Sequence, residues 1–232
     1  MNASAYRSFM DIPFQKSDWK PESWADFKEY HFRSVGSEFA SKKNGRGVMC
    51  ESLLENAMAC LLECDRQVTR YREQPIGPAW HDGLMERRGT PRDFWVETER
   101  GNVLVETKFT KDLADPQVSN DLRQMATYYG RHYGIRLIVR SEVTVFAQPR
   151  LENCRILQRY ATFELGEIWL DLHDILEGYL SPMPVKDFAE KFEKGRRPDV
   201  IAALCRLALD GTVAFDMNKP IDESALVYWV RQ

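Results

Sequence analysis

Pro91-Arg92-Asp93-Phe94-Trp95-Val96-Glu97 and, a short polar stretch later, Val103-Leu104-Val105-Glu106-Thr107-Lys108 decide how the rest of the chain is read. Two short apolar runs flank the polar, glycine-containing Arg100-Gly101-Asn102, a pattern that predicts a β-hairpin. Asp93 stands where the first strand begins. Glu106 and Lys108 are two residues apart, so on a strand they share one face, and Val103 and Val105 take the other. Two carboxylates and an ammonium thus meet on one hairpin. On these residues alone an exposed hairpin with solvated charges stays open beside any chemical reading.

The chemical reading is specific. Paired carboxylates on a rigid hairpin make a hard oxygen site suited to Mg²⁺ or Mn²⁺. A lysine beside them can orient or activate a water and offset phosphate charge. A metal held there lowers the pKa of its bound water and stabilises a phosphorane-like transition state.

Composition narrows the classes. The chain has 232 residues, 44% of them hydrophobic, and a net charge of −3, which suits a soluble protein of one or two domains. No apolar run reaches the ~20 residues that span a bilayer. The start, Met1-Asn2-Ala3-Ser4-Ala5-Tyr6, lacks a secretory pattern. Cys50, Cys60, Cys64, Cys154 and Cys205 are scattered and odd in number, which argues against a zinc site or a disulfide framework and fits reduced thiols in a cytoplasm. The mild acidity implies that any work on DNA relies on local patches or on a partner for placement.

Residues 1–48 form an aromatic-rich segment expected to lie on the core. Within it Ser23 caps a helix to about Phe32, with Trp24, Phe27 and Tyr30 at helical spacing. Lys42, Lys43 and Arg46 sit in a basic turn that either meets phosphate or is simply solvated. Glu51 to Cys64 is helical, with an apolar stripe of Leu54, Ala57, Met58, Leu61 and Leu62. Glu51 and Glu55 lie one turn apart on a shared flank. Ser52 and Glu55 also match a capping box, a purely structural account of Glu55. Val68 to Pro75 reads as a strand stopped by proline.

Taken together, Ser52-Leu53-Leu54-Glu55, Leu61-Leu62-Glu63, Arg72-Glu73-Gln74-Pro75, Arg92-Asp93-Phe94-Trp95-Val96 and Val105-Glu106-Thr107-Lys108 resemble, in order and spacing, the PD-(D/E)xK nuclease superfamily, and more narrowly the TnsA-type endonuclease subunit of heteromeric transposases. Arg92 stands where the superfamily often has proline. The resemblance implies that Asp93 is the central metal ligand and Glu106 the second. It makes Glu55 a helix carboxylate that binds metal or orients water, and Lys108 the catalytic lysine. The backbone carbonyl of Thr107 is a further ligand, and Glu51 replaces Glu55 if the helix register shifts by a turn. The implied cofactor is Mg²⁺, two ions, with Mn²⁺ as substitute. The implied activity is cleavage of double-stranded DNA at the 5′ ends of a mobile element. A separate TnsB-like, integrase-fold transposase would cut and join the 3′ ends, and a TnsC-like AAA+ ATPase would recruit both.

Downstream, Val118 to Tyr133 is helical, and Gln124 and Tyr128 within it echo a substrate-holding pair of some relatives. Ile135 to Arg140 is a strand and Pro149 to Tyr160 another helix. The nuclease domain is therefore expected over 49–165, as a restriction-endonuclease-like mixed sheet flanked by helices. Residues 166–232 read as helix, helix, helix and hairpin, a winged-helix-like α+β domain. Arg196 and Arg197 precede its third helix as candidate phosphate contacts. Arg206 is the basic residue on that helix itself, so protein contact is favoured over base reading. Two alternatives stay in view: a restriction or repair nuclease acting alone, and a degenerate nuclease fold serving as an inactive DNA- or protein-binding adaptor.

Overall fold

A computed structural model describes residues 36–75, 80–81, 86–87, 92–178, 182–192 and 197–230. The helix expected over Ser23 to Phe32 lies outside these residues. The described chain divides into two compact units that part between Ala147 and Gln148.

The first unit opens with an antiparallel hairpin, β1 (Ser37–Ser41) and β2 (Arg46–Cys50). The basic turn of the sequence is its loop, where Gly45 takes the left-handed backbone (φ 64°) that closes it. Helix α1 (Leu53–Cys64) follows, then β3 (Val68–Glu73) and the two-residue strands β4 (Trp80–His81) and β5 (Glu86–Arg87), which pair with each other. The deciding hairpin is β6 (Phe94–Thr98) and β7 (Gly101–Thr107). Its turn is Glu99-Arg100, one residue earlier than expected: Thr98 pairs with Gly101, and the Thr98 hydroxyl accepts from the Arg100 N–H at 3.2 Å. Then come α2 (Thr110–Leu113), α3 (Pro116–Tyr133), β8 (Arg136–Arg140) and α4 (Glu142–Val145).

The main sheet has the order β3-β6-β7-β8. Its first three strands are antiparallel, and β8 returns parallel to β7 after the α3 crossover. The fold is thus α/β, with a mixed four-stranded sheet flanked by helices. Cross-strand partners Trp95 and Leu104 pack against Met125 and Tyr129 of α3 and against Ile135. Asp115 caps α3 by accepting from the Gln117 N–H, and Gly134, left-handed at φ 63°, ends it. Ser52 caps α1, and the predicted stripe of Leu54, Ala57, Met58, Leu61 and Leu62 is buried. Ala59, Cys60 and Glu63 are buried too, because β1, β2 and α4 cover the flank that the sheet leaves open.

The second unit holds α5 (Arg150–Arg159), α6 (Ile168–Gly178), β9 (Met183–Pro184), α7 (Val185–Glu190), α8 (Arg197–Leu209), β10 (Val213–Ala214) and β11 (Leu226–Trp229). Helix α5 therefore groups with the C-terminal elements. The strands form one antiparallel sheet, β10-β11-β9. Met183 and Pro184 supply β9 as an edge strand, a place where proline is tolerated. The strands of the hairpin expected after the third helix, β10 and β11, are two and four residues long. Asn153, 1% exposed, ties the β10–β11 connection down: its amide donates to the Met217 and Lys219 carbonyls, and its oxygen accepts from the Ile221 N–H. Helix α8 is the core of this unit, packed on α5, α6, α7 and β10 with Val200, Ala203, Leu204 and Cys205 almost wholly buried.

Candidate active site

The site grows from the junction of β3 and β6. The Gln74 N–H donates to the Asp93 carbonyl at 2.9 Å, and the Arg92 N–H to the Pro75 carbonyl at 3.0 Å. These bonds clamp the chain just ahead of β6. Gln74 adopts φ 47° while 8% exposed, a conformation rare outside glycine and asparagine. The Glu73-Gln74-Pro75 turn thus fixes the backbone that carries Asp93.

Asp93, half-buried, turns its Oδ2 to Thr107, accepting from both the backbone N–H and the hydroxyl at 2.5 Å each. Glu106, on the last turn of the pleat before Thr107, is 4% exposed. Its Oε2 meets the Arg92 guanidinium at 3.3 Å and its Oε1 the Lys108 ammonium at 2.8 Å. The predicted sharing of a face by Glu106 and Lys108 is what this ion pair requires. Glu55 accepts from the Glu51 N–H at 2.8 Å and from the Ser52 hydroxyl at 3.0 Å, and Ser52 accepts in return from the Glu55 N–H. The capping role is therefore real. It places the same carboxylate where its charge acts on Asp93 and Lys108. Glu51, expected a turn before Glu55 on the helix, lies ahead of α1 and contributes its backbone N–H.

Charge crowding tunes these groups. Burial first, then the Glu106 and Glu55 carboxylates, push Asp93 up to about 7, against the bonds from Thr107. Burial also raises Glu55, opposed by the Glu51 N–H and Ser52. Burial alone would lower Lys108, but Glu106 and Asp93 outweigh it and hold the amine above its ordinary value, as an ammonium. Among the described residues no group of three or more His, Cys, Asp or Glu side chains stands ready to hold a metal ion, and Glu106 is paired with both Lys108 and Arg92. The donor chemistry nevertheless suits a hard divalent cation: Asp93 is raised to about 7 by burial first and then by the Glu106 and Glu55 carboxylates beside it, and a bound cation would relieve that crowding.

Two further residues belong here that sequence reasoning passed over. Arg92 looked like a tolerated replacement for proline, yet its side chain is buried against Glu106. Tyr129, not the neighbouring Tyr128, is the α3 residue whose hydroxyl feels Arg92 and Glu106. Tyr128 packs instead against the tilted rings of His132 and Tyr133. The helical period shows Tyr129 as a core residue, and only the α3-to-β7 packing reveals its polar end.

Lys43 and Arg46 of the basic turn make contacts within the fold. Lys43 Nζ donates to the Leu62 carbonyl at 2.8 Å and to the Asp65 carbonyl, satisfying the C-terminal end of α1. Arg46 makes a two-pronged pair with Glu73, 2.6 Å at each prong. The Lys42 N–H, with that of Lys43, donates to Glu63. Arg196 lies outside the described residues, and Arg197 is described as the backbone start of α8. A scan against protein-family models finds no match, and a search of curated proteins finds none either.

Proposed function

We propose that this chain is a metal-dependent DNA endonuclease with a restriction-endonuclease-like core, acting as the TnsA-type subunit of a heteromeric transposase at the 5′ ends of a mobile element. The observation that carries the reading is the convergence of Asp93, Glu106 and Lys108 at one end of the β6–β7 hairpin, with Glu55 electrostatically linked to Asp93. Asp93, Glu106 and Glu55, with the Thr107 carbonyl, would hold Mg²⁺ or Mn²⁺. When bound, the cation supplies an acidified water and neutralises charge gathering on the phosphate. Lys108, kept as an ammonium by its acidic neighbours, is not a general base. It donates to the scissile phosphate or to the attacking water and offsets the added negative charge. Water adds to phosphorus, the P–O3′ bond breaks, and the products carry a 3′-hydroxyl and a 5′-phosphate.

The order α6-β9-α7-α8-β10-β11, with its small antiparallel sheet, supports a winged-helix-like reading of the C-terminal unit. Helix α8 is buried there, which favours contact with a protein such as the AAA+ ATPase over insertion into a groove. The deciding assay is transposition of a plasmid-borne element with the candidate transposase and ATPase. Asp93→Ala should abolish cutting of the 5′ strand and leave 3′ joining, so that cointegrates replace simple insertions. Excision at wild-type level by that variant would remove the reading.

One observation favours a second reading. Both Glu106 oxygens are already matched by protein cations, as expected of an inactive adaptor whose old metal site has been neutralised. Mn²⁺ binding by the wild-type chain separates the two, since an adaptor of this kind binds none at the hairpin.

A further inference from the structure

The two cations on Glu106 are not equivalent. Arg92 is 7% exposed at its side chain and reaches Oε2 from the residue next to Asp93, on backbone clamped to Pro75. Lys108 is 35% exposed, lies just past the end of β7 and reaches Oε1 on a flexible four-carbon stem. A buried guanidinium cannot leave its carboxylate without stranding two charges away from water. An ammonium at the rim can swing into solvent at little cost. Arg92 is also close enough to act electrostatically on Lys108 and on the Tyr129 hydroxyl.

We propose that Arg92 is a positioning residue that anchors Glu106 permanently through Oε2, while Lys108 holds Oε1 only until a divalent cation takes its place. The proposal rests on the nuclease reading for the identity of the ligand. On this arrangement Glu106 offers a cation a single oxygen, Oε1. The fixed partner supplies the orientation that ligating carboxylates need from the groups behind them. It also accounts for arginine beside the central aspartate: proline there could not hold Glu106.

The test is Mn²⁺ binding to the full chain, followed by the paramagnetic signal of the free ion, with melting temperature in EDTA recorded in parallel. Arg92→Met is expected to weaken binding by about tenfold or more, and Arg92→Lys to lie between it and wild type. Lys108→Met, on the exposed side, is expected to bind Mn²⁺ as tightly as wild type or tighter. Unchanged or tighter binding by Arg92→Met overturns the proposal. Should that variant not fold, Lys108→Met decides: a tenfold loss makes Lys108 the permanent partner and overturns the proposal, whereas retained binding supports it. Arg92-dependent Mn²⁺ binding by a chain that cuts no transposon end would keep this inference and remove the endonuclease. A wild-type chain that binds no Mn²⁺ overturns both.

Discussion

At neutral pH the Asp93 carboxyl stands between its two protonation states, because burial and two neighbouring carboxylates lift it from 3.8 to about 7. The unfolded chain has no such crowding. Between roughly pH 4 and pH 7 the folded protein therefore binds a proton that the unfolded chain has lost, and stability falls as pH rises across that window, levelling above it. Asp93→Asn removes the ionisation. In EDTA it should raise the melting temperature at about pH 8 by a few degrees, leave it nearly unchanged at about pH 4 and flatten the slope between, while abolishing cleavage. Melting curves at the two pH values check this; a variant no more stable than wild type at the higher pH would contradict the crowding. Lys108 gives the complementary expectation. Lys108→Met should slow strand cleavage by about 10²-fold or more without moving the alkaline limb of the pH–rate profile, because the lysine is charged throughout. A limb that vanishes with the lysine would make it a base. Asp93, Glu106 and Lys108 were legible in the sequence, since a period of two on a hairpin brings them together. Arg92 was not: the target of a long side chain depends on which strands meet, and the local pattern does not carry that.

The elements that hold the site depend on buried charge as much as on apolar stripes. Glu63, on the last turn of α1 and 4% exposed, accepts from the Ser41 hydroxyl, the Tyr71 hydroxyl and the N–H groups of Lys42 and Lys43. One carboxylate thus ties the β1–β2 turn to α1 and β3. Glu63→Ala strands these donors and should cost about 3 kcal/mol or more, whereas Tyr71→Phe removes one bond and should cost about 1 kcal/mol; urea unfolding measures both. A loss under about 1 kcal/mol for Glu63→Ala would show the turn to be held by other contacts. The Arg46–Glu73 pair is the second tie. Burial alone would raise Glu73, but Arg46 and the Met49 N–H depress it on balance, so its contribution is present above the ordinary carboxylate range and is lost as pH falls through the lowered value. Arg46→Ala should lower the melting temperature by about 2–4 °C at neutral pH and by less in acid. Helices α1 and α3 and the long strand β7 were legible because their apolar periods run for several turns or pleats. The turn at 42–45 was legible as a turn but not in its role, because a lysine that caps a helix and one that meets phosphate look alike in sequence. Strand β9, two residues around proline, carries no period at all.

The whole molecule has a net charge of −3, and three of its basic side chains are engaged in internal contacts: Lys43 on the α1 carbonyls, Arg46 on Glu73, Arg92 on Glu106. Non-specific affinity for DNA scales with the number of phosphates neutralised, so a chain with this balance holds a duplex weakly by itself. The C-terminal unit sharpens the point. A helix that reads a major groove presents one polar face to the bases, but Val200, Ala202, Ala203, Leu204, Cys205, Leu207 and Ala208 of α8 are buried on successive sides of the helix. Arg206, the basic α8 residue whose side chain is described, pairs with Asp210 just past the end of the helix. A base-reading arginine is worth about 1–3 kcal/mol, which is roughly 5- to 150-fold in affinity. Arg206→Ala should instead leave binding of a transposon-end duplex by the assembled complex within about twofold of wild type and keep its preference for the correct end sequence. Fluorescence anisotropy with matched and scrambled ends measures both. A tenfold loss confined to the matched end would make α8 a reading helix despite its burial. Unchanged recognition would place the choice of DNA end with the partner, in keeping with the chain's net charge of −3.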